Sequence, residues 1–155
     1  MQMTEHNNPT SEQEIQKFGE LIHATLPYDY RNFLLKYNGG KPEYYIFPEN
    51  DNTYQLALDL LHGLNTNNNY SDLKWNYNTY TDRIMDSFIP IADEIGGDQF
   101  VLGVKGDFKG KVYLWDHNEE LDNDKFQENI LPDNMYLLAD SFTDFMEQLE
   151  EDTEA

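Results

Sequence analysis

Residues 88–100 read FIPIADEIGGDQF, and residues 110–117 read GKVYLWDH. Both stretches place short apolar runs between glycine and aspartate residues, a pattern typical of strands joined by tight turns. The first stretch predicts two strands around a turn formed by Gly96, Gly97 and Asp98. The second predicts a strand that returns from a hairpin and ends at Trp-Asp-His. These strands form the frame of the expected fold.

Amphipathic helices are predicted on both sides of these strands. Apolar residues recur at helical spacing after a Ser11 cap, from Pro27 to the glycine pair at residue 39, and after a Ser141 cap. A weaker helical pattern covers residues 70–85. Further short strands are expected at residues 43–47, 54–61 and 136–139. Helices at both ends of a central run of strands, without β-α-β alternation, predict an α+β fold.

The chain of 155 residues has the size of one domain. We expect a flexible N-terminus at residues 1–10, the folded domain at 11–149 and an acidic tail at 150–155. Residues 1–9 have neither the basic nor the apolar region of a signal peptide, so we expect a cytoplasmic protein.

The composition is strongly acidic. Thirty Asp and Glu residues oppose ten Lys and Arg residues, which gives a formal net charge of −20. Residues 112–155 hold fourteen of the acids and only Lys125 as a base. A field of this sign repels nucleic acids and anionic membranes and attracts basic proteins. The alternative is that the charge serves only solubility.

The chain does not match the common sequence motifs of catalytic and metal-binding sites. The two glycines in residues 106–111 are separated by one residue fewer than in the phosphate-binding motif G-x-x-x-x-G-K-S/T. The acidic loop from Asp116 lacks the glycine of a calcium-binding EF-hand, because Leu121 occupies that place. The chain has no cysteine and no G-x-S-x-G motif. We therefore expect no enzyme activity, cofactor or metal site, although a hydrolase using acids such as Glu119 and weak cation binding by this loop stay open.

Residues 26–40 read LPYDYRNFLLKYNGG, which resembles the LP-x-x-Y-x-x-F-L-x-x-x-N-G-G segment of the SMI1/KNR4 family, also called the SUKH superfamily. Two later hallmarks are similar and follow in the expected order, at residues 89–98 and 112–117. The resemblance covers residues 11–149 and is loose over 44–85. It implies a mixed, mainly antiparallel sheet flanked by helices. The positions implied as structural markers are Leu26, Pro27, Tyr30, Phe33, Asn38, Gly39, Gly40, Pro90, Gly96, Gly97, Asp98, Trp115, Asp116 and His117.

The resemblance also implies a function. Bacterial members of the family are implied to be immunity proteins that neutralise a cognate polymorphic or contact-dependent toxin, often a nuclease, whereas fungal members are implied in regulating cell-wall synthesis. We expect a non-enzymatic binding protein whose partner is a basic toxin. A regulatory or scaffolding domain without a toxin partner, or a protein that binds a small molecule or metal, are the alternatives. The candidate contact residues are Glu119, Glu120, Asp122, Asp124, Asp144, Glu147, Glu150 and Glu151.

Overall fold

The computed structural model describes residues 2–120 and 122–153. Within them, eight strands and four α-helices follow one another as β1 (Met3–His6), α1 (Glu12–Ile22), α2 (Tyr28–Tyr37), β2 (Gly40–Pro42), β3 (Ile46–Phe47), β4 (Leu56–Leu61), α3 (Leu73–Tyr80), β5 (Phe88–Glu94), β6 (Gln99–Gly103), β7 (Val112–Trp115), β8 (Met135–Ala139) and α4 (Phe142–Glu147). The sheet has the order β1-β2-β4-β5-β6-β7-β8, and β3 pairs with β4 outside this path. The strand pairs are antiparallel, so the expected α+β fold is confirmed.

The central strands are buried on both faces of the sheet. Ile89 and Phe100 point into a core shared with α1, α2 and α4, whereas Phe88, Val101 and Trp115 point into a second core on the opposite face. A strand covered on both sides can be apolar at successive positions. This explains why β5 and β6 read as continuous apolar runs, without alternation between polar and apolar residues.

Side-chain caps set where three of the four described α-helices begin. Ser11 Oγ accepts from the Glu14 backbone N–H at 3.2 Å, and Ser141 Oγ accepts from that of Asp144 at 3.0 Å. The helix predicted over residues 70–85 spans only Leu73–Tyr80, and it begins at residue 73 because the Asp72 carboxylate accepts the backbone N–H groups of Lys74 and Trp75. No helix in the described parts of the chain combines the length and apolar character needed to cross a membrane.

Backbone hydrogen bonds tie segments near both ends of the described chain to neighbouring strands. Residues 1–10 were expected to be flexible, yet β1 lies at the edge of the sheet and pairs with β2. Its residues are mostly exposed, so backbone hydrogen bonds hold it and no apolar pattern marks it. The expected tail begins with a bridge, in which Glu150 and Ile46 exchange hydrogen bonds of 2.7 and 3.1 Å. Residues 154–155 of that tail lie outside the described residues.

Asn38 and the two glycines after it join the N-terminal strand to the rest of the sheet. Asn38 ends α2 at φ 52°, and Gly39 and Gly40 follow at φ 83° and 117°. The buried Asn38 side chain donates to the carbonyls of Asn8 and Leu64 and accepts the Leu64 N–H at 2.7 Å. A Cβ at Gly40 would overlap the Glu5 carbonyl group. The N-G-G segment therefore needs both its backbone conformation and its lack of side chains.

We predict that Asn38→Ala lowers the free energy of unfolding by about 3 kcal/mol, because it leaves buried backbone groups unpaired and places alanine in the left-handed region. Asn65→Ala is the matched control, since Asn65 also has a positive φ of 56° but its side chain is exposed. Urea unfolding followed by circular dichroism measures both. Equal losses for the two variants would show that the buried hydrogen bonds of Asn38 contribute nothing.

Candidate functional site

The turn at Gly96, Gly97 and Asp98 packs directly onto the end of β7. The Asp98 carboxylate accepts the His117 backbone N–H at 3.0 Å and also contacts the Nδ1 atom of the His117 ring. A Cβ at Gly97 would lie 3.1 Å from Cε1 of that ring, so glycine leaves room for the imidazole. The family hallmarks at residues 89–98 and 112–117, which are separate in sequence, therefore contact each other in the structure.

Asp116 continues this arrangement into the acidic loop. Its carboxylate accepts the Asn118 N–H at 2.9 Å and caps a short 3₁₀ turn, His117–Glu119. The ligand atoms of Asp98, Asp116 and His117 lie within 4.8 Å of one another, which is close enough to hold one cation. Both carboxylates already accept a backbone N–H, however, so the fold itself accounts for their position.

Arg83 lies beside this loop and was not identified from the sequence. Its guanidinium donates to both oxygens of Glu120, at 2.6 and 3.1 Å, and stacks on the rings of Tyr80 and Trp115 at 5.0 and 5.1 Å. The hydrogen bond to Arg83 lowers the pKa of Glu120 below its usual range. Glu120 was a candidate for partner contact, but an internal cation already neutralises its charge.

A second polar group lies between β4, β5 and β6. The fully buried His62 ring places Nε2 3.2 Å from Gln99 Oε1 and 3.6 Å from Asp93 Oδ1. Gln99 in turn donates to the same Asp93 oxygen at 2.6 Å. Burial lowers the pKa of His62, and the Asp93 charge opposes this only in part. The geometry therefore fits a neutral imidazole that donates from Nε2.

The predicted contact residues form two separate sets. Glu119, Glu120, Asp122 and Asp124 are exposed and follow β7, whereas Asp144, Glu147, Glu150 and Glu151 are exposed on and after α4. Because β7 and β8 are antiparallel, the loop leaves this strand pair at one end and the chain enters α4 from the other. The topology therefore supplies two acidic regions, and the structure does not merge them into one site.

The acids at α4 border an open groove of about 470 Å³. Asp144 and Glu147 line it from the helix, and Asp51 and Asp140 line it from the turn before β4 and from the end of β8. Asn52 Nδ2 donates to the Leu137 carbonyl at 2.8 Å and holds that turn against β8. Asp51 was missed because it reaches the groove from a turn that is distant from α4 in sequence, whereas Asp140 lies just before the helix.

We predict that the stability of the protein depends on pH through His62. The pKa of His62 is lower in the folded than in the unfolded state, so the unfolded chain binds a proton first as the pH falls. The free energy of unfolding is therefore highest above pH 6.5 and decreases as the pH falls toward the folded-state pKa. Relative to His62→Gln, the wild type should lose stability as the pH falls from 7.5 to 5.5, with a slope of at most about 1.4 kcal/mol per pH unit. Urea unfolding at three pH values measures this difference. Parallel pH profiles for the two proteins would contradict it.

Comparison with known proteins assigns the chain to a family. Residues 9–148 match the model of the SMI1 / KNR4 family (SUKH-1). The SPbeta prophage-derived uncharacterized protein YokK of Bacillus subtilis (strain 168) is 31% identical over 141 residues, which covers 78% of this chain and 65% of YokK. The chain thus spans less than two thirds of that relative's length. The chain belongs to the SMI1/KNR4 (SUKH-1) family, which includes immunity proteins.

Proposed function

We propose that this protein is an immunity protein that neutralises a cognate toxin by binding it directly, without catalysis. The family supports this proposal, because SUKH proteins are generally non-catalytic and are known to bind toxins as immunity proteins. The toxin would present a basic surface to this acidic chain. A nuclease is the favoured class, since nucleases need basic residues to hold phosphates.

The observation that carries the proposal is the unneutralised negative charge after β7. Glu119, Asp122, Asp124, Asp144 and Glu147 are exposed, and no ion pair within residues 2–120 and 122–153 involves any of them. Carboxylates without a cationic partner repel one another. They are well suited to attract a basic protein.

The two acidic regions support a division of roles. Charge on an exposed loop acts mainly on association, because it steers the partner over the range of the screened field. Contacts next to apolar surface act mainly on dissociation, because desolvated anchors hold the complex together. We assign steering to the loop at Glu119, Asp122 and Asp124, and holding to α4.

We predict that the triple variant Glu119→Gln, Asp122→Asn, Asp124→Asn associates with the toxin about fivefold more slowly at low salt and shows a weaker salt dependence. Glu120 stays unchanged in this variant so that Arg83 keeps its partner. The experiment co-expresses the chain with the product of the neighbouring gene and measures association and dissociation rates by biolayer interferometry at two salt concentrations.

The control carries the same change of charge elsewhere, as Glu5→Gln, Glu20→Gln and Asp59→Asn on β1, α1 and β4. It should associate faster than the loop variant. Equal rates for the loop variant and the wild type would remove the loop from the interaction. A neighbouring product that forms no complex with the wild-type chain would contradict the immunity function and favour a regulatory domain.

A further inference from the structure

We propose that α4 and the two grooves beside it form the docking surface for a basic protein segment that carries an apolar side chain. This inference rests on the proposed function for the biological identity of the partner, and it adds the place and the chemistry of recognition. The surface, called the α4 surface below, consists of the acidic groove at Asp51 and Asp140 and a second groove that shares Glu147 with it.

The second groove supplies an apolar contact area. It is about 340 Å³ in volume, and its walls are formed by Pro42 and Tyr44 on one side and by Met146 and Leu149 on the other. Tyr44 is 46% exposed, although Met146 and Leu149 beneath it belong to the core. A half-exposed tyrosine beside buried apolar residues is the composition that protein interfaces use for their strongest contacts.

Charge determines which occupant fits. Glu43 and Glu147 border the apolar groove, and Asp51, Asp140 and Asp144 border its neighbour. The residues that line the two grooves include no lysine, arginine or histidine. An acidic or neutral segment would lose its hydration against five carboxylates without compensation, whereas lysine or arginine side chains would pair with them. The complementary occupant is therefore a basic segment with an apolar residue for the groove.

The α4 surface is held rigidly, so a partner would lose little energy in ordering it. The fully buried Phe145 ring stacks on Phe47 at 5.4 Å and contacts Phe100 at 5.2 Å. The Asp29 carboxylate accepts both the backbone N–H and the hydroxyl of Thr143, at 2.9 and 3.0 Å. After the helix, the bridge between Glu150 and Ile46 fixes the chain again.

The test uses a synthetic pentapeptide with a central leucine between two pairs of lysines, capped at both ends. Titration into ¹⁵N-labelled full-length protein, followed by NMR, gives both the position of binding and its affinity. We expect the shift changes to concentrate on residues 42–44, 50–52, 137–140 and 143–150. A peptide with glycine in place of leucine should bind about tenfold more weakly, because it loses one apolar contact.

Two protein variants of equal charge change separate the α4 surface from general acidity. The variant Asp51→Asn, Asp144→Asn, Glu147→Gln should weaken peptide binding about tenfold. The variant Glu5→Gln, Glu20→Gln, Asp59→Asn should leave peptide affinity within about twofold of wild type, because these acids line neither groove. The six substituted residues are exposed, so both variants should keep the fold.

Any one of four results would overturn the inference: shift changes centred on the loop after β7, equal weakening by the two variants, equal affinity for the leucine and glycine peptides, or no binding of the peptide. These peptide measurements do not require the toxin. A toxin that binds the wild type and the α4 variant equally would overturn the docking surface and leave the immunity function intact. If the product of the neighbouring gene does not bind but the peptide shifts residues of the α4 surface as expected, the immunity function would be contradicted and the docking surface would stand.

Discussion

The contact between Asp98 and His117 is the interaction on which the course of the acidic loop depends. It ties the turn between β5 and β6 to the chain just after β7, and it needs glycine at position 97 because the imidazole lies against that backbone. The chain leaves His117 in a fixed direction, capped by Asp116. Glu120 can then reach Arg83, which lies 37 positions earlier in the sequence. One turn thus determines where the acidic loop begins.

Stability and recognition are assigned to different parts of the molecule. The apolar cores on the two faces of the sheet hold the fold, and they do so against the self-repulsion of a chain with a net charge of −20. The family positions Gly39, Gly40, Gly97 and Asp98 all serve backbone geometry. No role in binding has to be assigned to them, because strained turns and close approaches explain why these residue types stand there. The exposed acids Glu119, Asp122 and Asp124 have no ion pair within the described residues.

Much of the fold could be predicted from the sequence, because it follows from local patterns. Apolar spacing with serine caps located α1 and α4, apolar spacing after Pro27 located α2, and the Gly-Gly-Asp turn located β5 and β6. The strands β1 and β2 could not be found in this way, since backbone pairing defines them and their side chains carry no apolar pattern. The helix α3 begins later than its pattern because the Asp72 side chain caps it at residue 73.

The candidate site could be predicted only in part. The acids of the loop and of α4 are visible as a charge concentration, but charge alone does not distinguish Glu119, which has no ion pair within the described residues, from Glu120, which is bound to Arg83. Asp51, Asp140 and His62 gain their surroundings from strands and turns far away in the chain. Contacts of this kind depend on the three-dimensional arrangement and leave no trace in local spacing.

The central proposal is that this acidic chain binds a basic partner protein through the α4 surface. Hydrogen–deuterium exchange of the chain, free and in complex with the product of the neighbouring gene, tests it most directly. The account predicts slower exchange in the complex at residues 50–53 and at residues 140–151. Protection confined to α3 and residues 81–87, with unchanged exchange along α4, would contradict it.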